Sequence, residues 1–132
     1  MVKSVTIDSS VIISSLLPNE KQHEEACQIW GKVLSGETPS VMPFSVLVEV
    51  VAAIRRRTGS ELLAVEVQKT LENIPALSFV MLDSRVAAKA CRIATKTGLR
   101  GMDALVVQVA KEYKSELITF DNEMLQKAAL VL

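Results

Sequence analysis

Short apolar runs alternate along this chain with stretches whose apolar residues recur every three or four positions. Runs of the first kind predict buried strands, and stretches of the second predict helices with one inward face. Residues 2–8 form a β-branched run that stops at Asp8, a first strand. Ser9 and Ser10 are placed to cap a helix opening on Val11, Ile12 and Ile13, which Pro18 and Asn19 break. Ala26, Ile29, Trp30 and Val33 carry a second helix over 21–35, ended by Gly36 and Pro39. A second strand covers 40–42. Ser45 is then expected to cap a strongly apolar helix running to Arg55, Arg56 and Arg57, where cations suit the helix dipole and Gly59 stops the chain. Leu63, Val67, Leu71 and Ile74 share one face of a helix over 60–74, ended by Pro75. A third strand over 78–82 precedes a helix over 84–97 with Val86, Ala90, Ile93 and Ala94 inward and Gly98 as its stop. A helix from 101 or 102 to about 114, a strand over 116–120 and a helix over 122–129 complete the pattern, and residues 129–132 are apolar enough to begin a fifth strand.

Strands alternating with helices imply a parallel sheet covered on both faces, a three-layer α/β/α fold of four to five short strands. There is no internal repeat, low-complexity tract or linker, so residues 1–132 read as one domain.

Four acids interrupt the apolar pattern. Asp8 ends the first strand, Glu49 sits inside the most apolar helix, Asp103 opens an apolar helix and Asp121 follows the fourth strand. A carboxylate at the edge of a buried segment is costly without a positive neighbour. Each has a local explanation: Asp8 and Asp121 can cap the helices that follow them, and Asp103 suits a helix N-terminus. Glu49 has the weakest one, because its helix is apolar around most of its circumference. Strand ends and the starts of the following helices lie at one edge of such a sheet, where ligands bind. One shared Mg²⁺ or Mn²⁺ would answer for all four, since hard cations take clustered carboxylate oxygens.

The composition narrows the partners. Fifteen basic and 15 acidic side chains cancel, which does not favour a general nucleic-acid coat but allows an enzyme that holds nucleic acid locally. Aromatic residues make up only 4% of the chain, too few for a base-stacking platform. Cys27 and Cys91 are far apart and read as reduced, buried thiols of a cytoplasmic protein. His23 is the only histidine, so zinc is disfavoured, and its neighbours Glu24 and Glu25 suggest an exposed, uninvolved position. No apolar stretch is long enough to span a bilayer, and the early apolar run lacks a signal-peptide cleavage site.

Other candidates surround the acids. Thr119, two before Asp121, can hold a metal-bound water or serve as a β-branched strand residue. Ser9 and Ser10 can support a metal site or cap a helix. Arg100, just before Asp103, is a candidate contact for a substrate phosphate, whereas Arg55, Arg56 and Arg57 read first as a solvated helix end.

The segments V-T-I-D-S-S-V-I-I, S-V-L-V-E-V, G-L-R-G-M-D-A-L and L-I-T-F-D, in this order, resemble a PIN domain, and more narrowly the single-domain toxins of VapBC toxin–antitoxin modules. The resemblance covers essentially the whole chain. It implies Mg²⁺- or Mn²⁺-dependent endoribonuclease activity, with the acidic quartet on Asp8, Glu49, Asp103 and Asp121 and the supporting hydroxyls on Thr119, Ser9 and Ser10. It also implies an RNA substrate and a small antitoxin protein that blocks the crevice. Phe120 departs from the family, many members of which carry a polar or basic residue there. The apolar helix faces are compatible with a homodimer.

Competing readings are an RNA-binding or regulatory module without catalysis and an RNA-processing nuclease that is not a toxin. A phosphatase or receiver-like domain fits less well. Asp8 is followed by Ser9 and Ser10 instead of an Asp-x-Asp, and Asp83, after the third strand, has no evident lysine partner.

Overall fold

The short apolar runs become the strands of one sheet. In the computed structural model, which describes residues 3–132, these are β1 (Val5–Ile7), β2 (Ser40–Pro43), β3 (Leu77–Val80) and β4 (Glu116–Ile118). Their order is β3-β2-β1-β4, and every pairing is parallel. Val2, the first residue of the expected opening strand, lies outside the described residues. The helices are α1 (Ser9–Leu16), α2 (His23–Leu34), α3 (Phe44–Thr58), α4 (Glu61–Glu72), α5 (Ser84–Thr97), α6 (Gly101–Glu112) and α7 (Asn122–Ala128).

Parallel neighbours require a crossover, and such crossovers are right-handed. The chain steps outward from β1 through β2 to β3, then back past β1 to β4. Crossovers of one hand therefore put α1 to α4 on one face and α5 and α6 on the other. Packing follows this division: α1 meets α2 and α3, α3 meets α4, and α5 meets α6. The result is the expected three-layer α/β/α fold. Its interior is aliphatic, with Ile7, Ile12, Met42, Val46, Val50 and Val106 wholly buried. Helix α6 lies directly on β1 and β2, which explains why it is apolar beyond a single stripe. Gly59 and Gly98 end α3 and α5 at φ 71° and 73°, a left-handed conformation that glycine adopts without strain. Among the described residues, no helix is long and apolar enough to cross a membrane.

Some expectations fail for identifiable reasons. Among the described residues there is no fifth strand: the amides of Val131 and Leu132 bond back to the Ala128 carbonyl at 3.0 and 2.9 Å, a turn that uses the donors a strand would need. Ser45 does not cap α3, because β2 runs through Pro43 straight into the helix and leaves Ser45 inside the first turn. Leu63 is 40% exposed, and Ala64 takes its place beside Val67 and Leu71 on the inward face. Cys27 and Cys91 are free thiols but exposed, not buried. His23 is half-buried instead of exposed, and its Nδ1 donates to the Ser14 carbonyl at 2.7 Å, tying α2 to α1.

Candidate functional site

Strand β1 has its two later neighbours on opposite sides, β2 on one and β4 on the other. The chain therefore changes direction at the β1–β4 edge, and a crevice forms beyond the strand ends at such a point. Asp8 and Asp121 are delivered there by β1 and β4. The Asp8 amide donates to the Ile118 carbonyl at 2.9 Å, which locks the two strand ends together.

Asp8 is only 7% exposed. It occupies the cap position of α1, yet its carboxylate caps nothing. Instead its Oδ2 accepts hydrogen bonds from Ser10 Oγ and Thr119 Oγ1, each at 2.9 Å. The Thr119 oxygen in turn accepts from the Asp121 amide at 3.1 Å, so one buried hydroxyl bridges the two acidic segments. Asp121 does cap its helix, with Oδ1 accepting from the Met124 amide at 3.1 Å. The local reading thus holds for one oxygen of Asp121 and fails for Asp8.

Asp103 enters from the first turn of α6, and Glu49 from the second turn of α3, which touches α6. Burial raises the Glu49 pKa above its usual value, and the negative charges of Asp8 and Asp103 raise it further. A hydrogen bond from Ser9 and the positive charge of Arg100 partly offset this. Asp103 is raised by burial and by Asp8, with Arg100 opposing and Asp121 adding a smaller push. All four acids therefore share one electrostatic neighbourhood, and the sequence-predicted quartet is brought together.

Arg100 Nε stands 3.6 Å from Asp103 Oδ2, with its side chain 86% exposed, so this pair is held loosely and screened by water. Beside it a cavity of about 600 Å³ opens between α5 and the start of α6. Glu49, Asp103 and Arg100 line one side of it, and Ala87, Ala90 and Ala94 line the other. The sequence pattern did not disclose this cavity, although alanines at three- and four-residue spacing on α5 are the signal that could have done so. Phe120 is half-buried and packs against the core, which accounts for an apolar residue at that position. Asp83 accepts from the Val86 amide at 2.9 Å and so serves as the cap of α5, which weakens the receiver-like reading.

The donor set is oxygen only, as Mg²⁺ or Mn²⁺ prefers. Burial raises Glu49 and Asp103 most, and the repulsion that adds to it is what a cation would relieve. Among the described residues, however, no three His, Cys, Asp or Glu side chains are already closed into a metal cage. The carboxylates are gathered but not converged on a single point.

The PIN domain family model matches residues 5–130. No curated protein matches the chain. Among solved structures, the Sarcin-Ricin loop cleaving toxin VapC20 of Mycobacterium tuberculosis is similar, with a TM-score of 0.79 and 16% identity over 93% of this chain and 94% of that one. A toxin-antitoxin complex from Klebsiella pneumoniae is also similar, with a TM-score of 0.61 and 16% identity over 89% of this chain and 87% of the other. At these identities the likeness is one of fold.

Proposed function

This chain belongs to the PIN-domain family, and from that premise we propose that it is a Mg²⁺- or Mn²⁺-dependent endoribonuclease acting as the toxin of a toxin–antitoxin pair. One observation carries the reading: a buried carboxylate, Asp8, neither caps its helix nor meets a cation, yet presses its charge on Glu49 and Asp103 and is tied through Thr119 to Asp121. Its two hydroxyl donors, Ser10 and Thr119, hold it in place without balancing its charge.

In this reading Asp8, Asp103 and Asp121 would hold the metal ion, directly or through water. When bound, such an ion lowers the pKa of water and neutralises charge on a phosphoryl oxygen. The hydroxyls of Ser10 and Thr119 fix Asp8 Oδ2, which would leave Oδ1 as the oxygen offered to the ion. Glu49 adds a further oxygen or accepts a hydrogen bond from the attacking water, a role suited to a carboxylate whose proton affinity is raised. Arg100, exposed at the mouth, is the contact for a substrate phosphate. Water as nucleophile leaves a 5′ phosphate on the product and requires no side-chain nucleophile.

The same proposal includes a small antitoxin, whose arginine would pair with the carboxylates, a cytoplasmic location and the option of a homodimer. The test is cleavage of a panel of labelled single-stranded RNAs in Mn²⁺, Mg²⁺ or EDTA, beside Asp8→Asn. Cutting should occur with metal and disappear in EDTA and in the variant. Folded, metal-bound protein that cuts nothing in the panel would instead favour a binding module without catalysis.

A further inference from the structure

A site built from four carboxylates repels the polyanion it must hold. The chain gives no help in bulk, because its 15 basic and 15 acidic side chains cancel. Attraction must come from cations gathered locally.

Helix α5 gathers them. Its sequence S-R-V-A-A-K-A-C-R-I-A-T-K-T carries four cations and no acid. Arg85, Lys89, Arg92 and Lys96 are spaced by four, three and four residues, which makes one stripe along the helix. The stripe spans about 16 Å at 1.5 Å per residue. Ala87, Ala90, Cys91 and Ala94, which line the cavity shared with Glu49 and Asp103, stand on the opposite side of the same helix. Each residue turns the helix by about 100°, so the two sets lie roughly half a turn apart. Between them, on the solvent side, are Ser84, Ala88 and Thr95, all exposed, small and uncharged.

The stripe borders a second cavity of about 430 Å³ between the outer faces of α5 and α6, lined by Lys89, Arg92, Lys96, Gln108, Lys111 and Glu112. Glu112 neutralises part of the stripe, pairing with Arg85 at 2.6 Å and Lys89 at 2.9 Å. Among the described residues, Arg92, Lys96 and Lys111 have no such partner. Gln108 is 2% exposed, and its Oε1 accepts no hydrogen bond. The cavity therefore combines three uncompensated cations with a buried amide oxygen in need of a donor. A phosphodiester would answer the first and a ribose hydroxyl the second.

We propose that this cavity binds the sugar–phosphate backbone of single-stranded RNA about one helix width from the carboxylates, with the strand crossing α5 over its small, uncharged face. The proposal rests on the ribonuclease reading, but binding is measured apart from cutting.

The experiment uses Asp8→Asn protein in EDTA, which should not cut, and follows a fluorescent single-stranded RNA by anisotropy across a salt titration. A single-strand contact contributes about 0.7 to the slope of log K against log salt. Adding Arg92→Ala and Lys96→Ala should lower that slope by about 1.4, whereas adding Arg55→Ala and Arg56→Ala, an equal loss of charge elsewhere, should leave it unchanged. The RNA should bind more tightly than its 2′-deoxy counterpart, and Gln108→Leu should narrow that gap. Equal losses from the two double variants would overturn the proposal. So would release of the RNA by millimolar inorganic phosphate at constant ionic strength, which would make the cavity a free-anion site. If the unmodified protein fails to cut while the α5 variants still lower the slope, the ribonuclease reading fails and the backbone site stands.

Discussion

At the scale of single residues, Asp8 depends on its hydroxyl neighbours. Thr119 Oγ1 donates to Asp8 in buried surroundings and accepts from the partly buried Asp121 amide. Thr119→Val keeps the shape and removes both bonds, leaving the buried Asp8 carboxylate one donor short. A loss of about 1–3 kcal/mol in stability is expected, read by urea denaturation, together with reduced RNA cutting. Thr119→Ser should recover both, and failure of serine to recover cutting would show that the methyl group matters instead. Glu49 makes the opposite case. Its raised pKa means the folded state binds the proton more tightly than the unfolded chain does, so without metal its charge destabilises the fold at neutral pH. That penalty is relieved as pH falls through the folded pKa toward the ordinary value of 4.5. Glu49→Gln should therefore melt higher than the parent at pH 7 in EDTA, with the difference shrinking in acid, while cutting is lost. A lower melting temperature at pH 7 would mean that Glu49 has a structural partner. All four acids were legible in the sequence because a carboxylate within an apolar run advertises its own cost. The role of Asp8 as a non-capping residue was not, since a cap and an acceptor for Ser10 and Thr119 look alike until the side chain is placed.

Among elements, the α5–α6 pair is the clearest. Hydrogen bonds from Arg85 and then Lys89 lower the Glu112 pKa to about 2, and Gln108 adds a bond at 3.3 Å. For a depressed carboxylate the stabilisation is complete above the unfolded pKa and is lost as pH falls through the folded one. The stability difference between the parent and Glu112→Gln should be constant from neutrality to about pH 5 and should fade from the ordinary value of 4.5 toward about 2. Chemical denaturation at a series of pH values reads it, and a difference that persisted unchanged at pH 2 would assign the effect to packing. Helix limits were legible where glycine or proline marked them: the expected helix over 84–97 is α5 to the residue, closed by Gly98. They were less so where only apolar character spoke. The tail at 129–132 is as apolar as a strand but turns back on Ala128, and Leu63 yields the inward face to Ala64, which stands three and seven residues before Val67 and Leu71 and so shares their side of the helix.

For the molecule as a whole, alternation of strand and helix was enough to read three layers, because parallel strands need covered faces and long crossovers. The convergence of four acids was readable only as an expectation, since it depends on β4 returning to the free side of β1, and no local pattern encodes strand order. That convergence yields a property of the entire fold. With four acids in one neighbourhood, the native state is the form that would bind the proposed divalent cation, while the unfolded chain scatters them over 113 residue steps from Asp8 to Asp121. A ligand of the native state stabilises it by about 2.7 kcal/mol at a hundredfold excess over its Kd. Mg²⁺ or Mn²⁺ should therefore raise the melting temperature in calorimetry, progressively with concentration, and EDTA should reverse the rise. Asp8→Asn should blunt the response, and Glu112→Gln, distant from the crevice, should keep it. Ca²⁺ is a useful further probe: it too takes carboxylate oxygens but tolerates looser geometry, so a rise with Ca²⁺ that matches the rise with Mg²⁺ would fit carboxylates that are gathered but not closed into a cage. A folded protein indifferent to all three ions at millimolar concentration would remove the metal site and leave the acids without a common purpose.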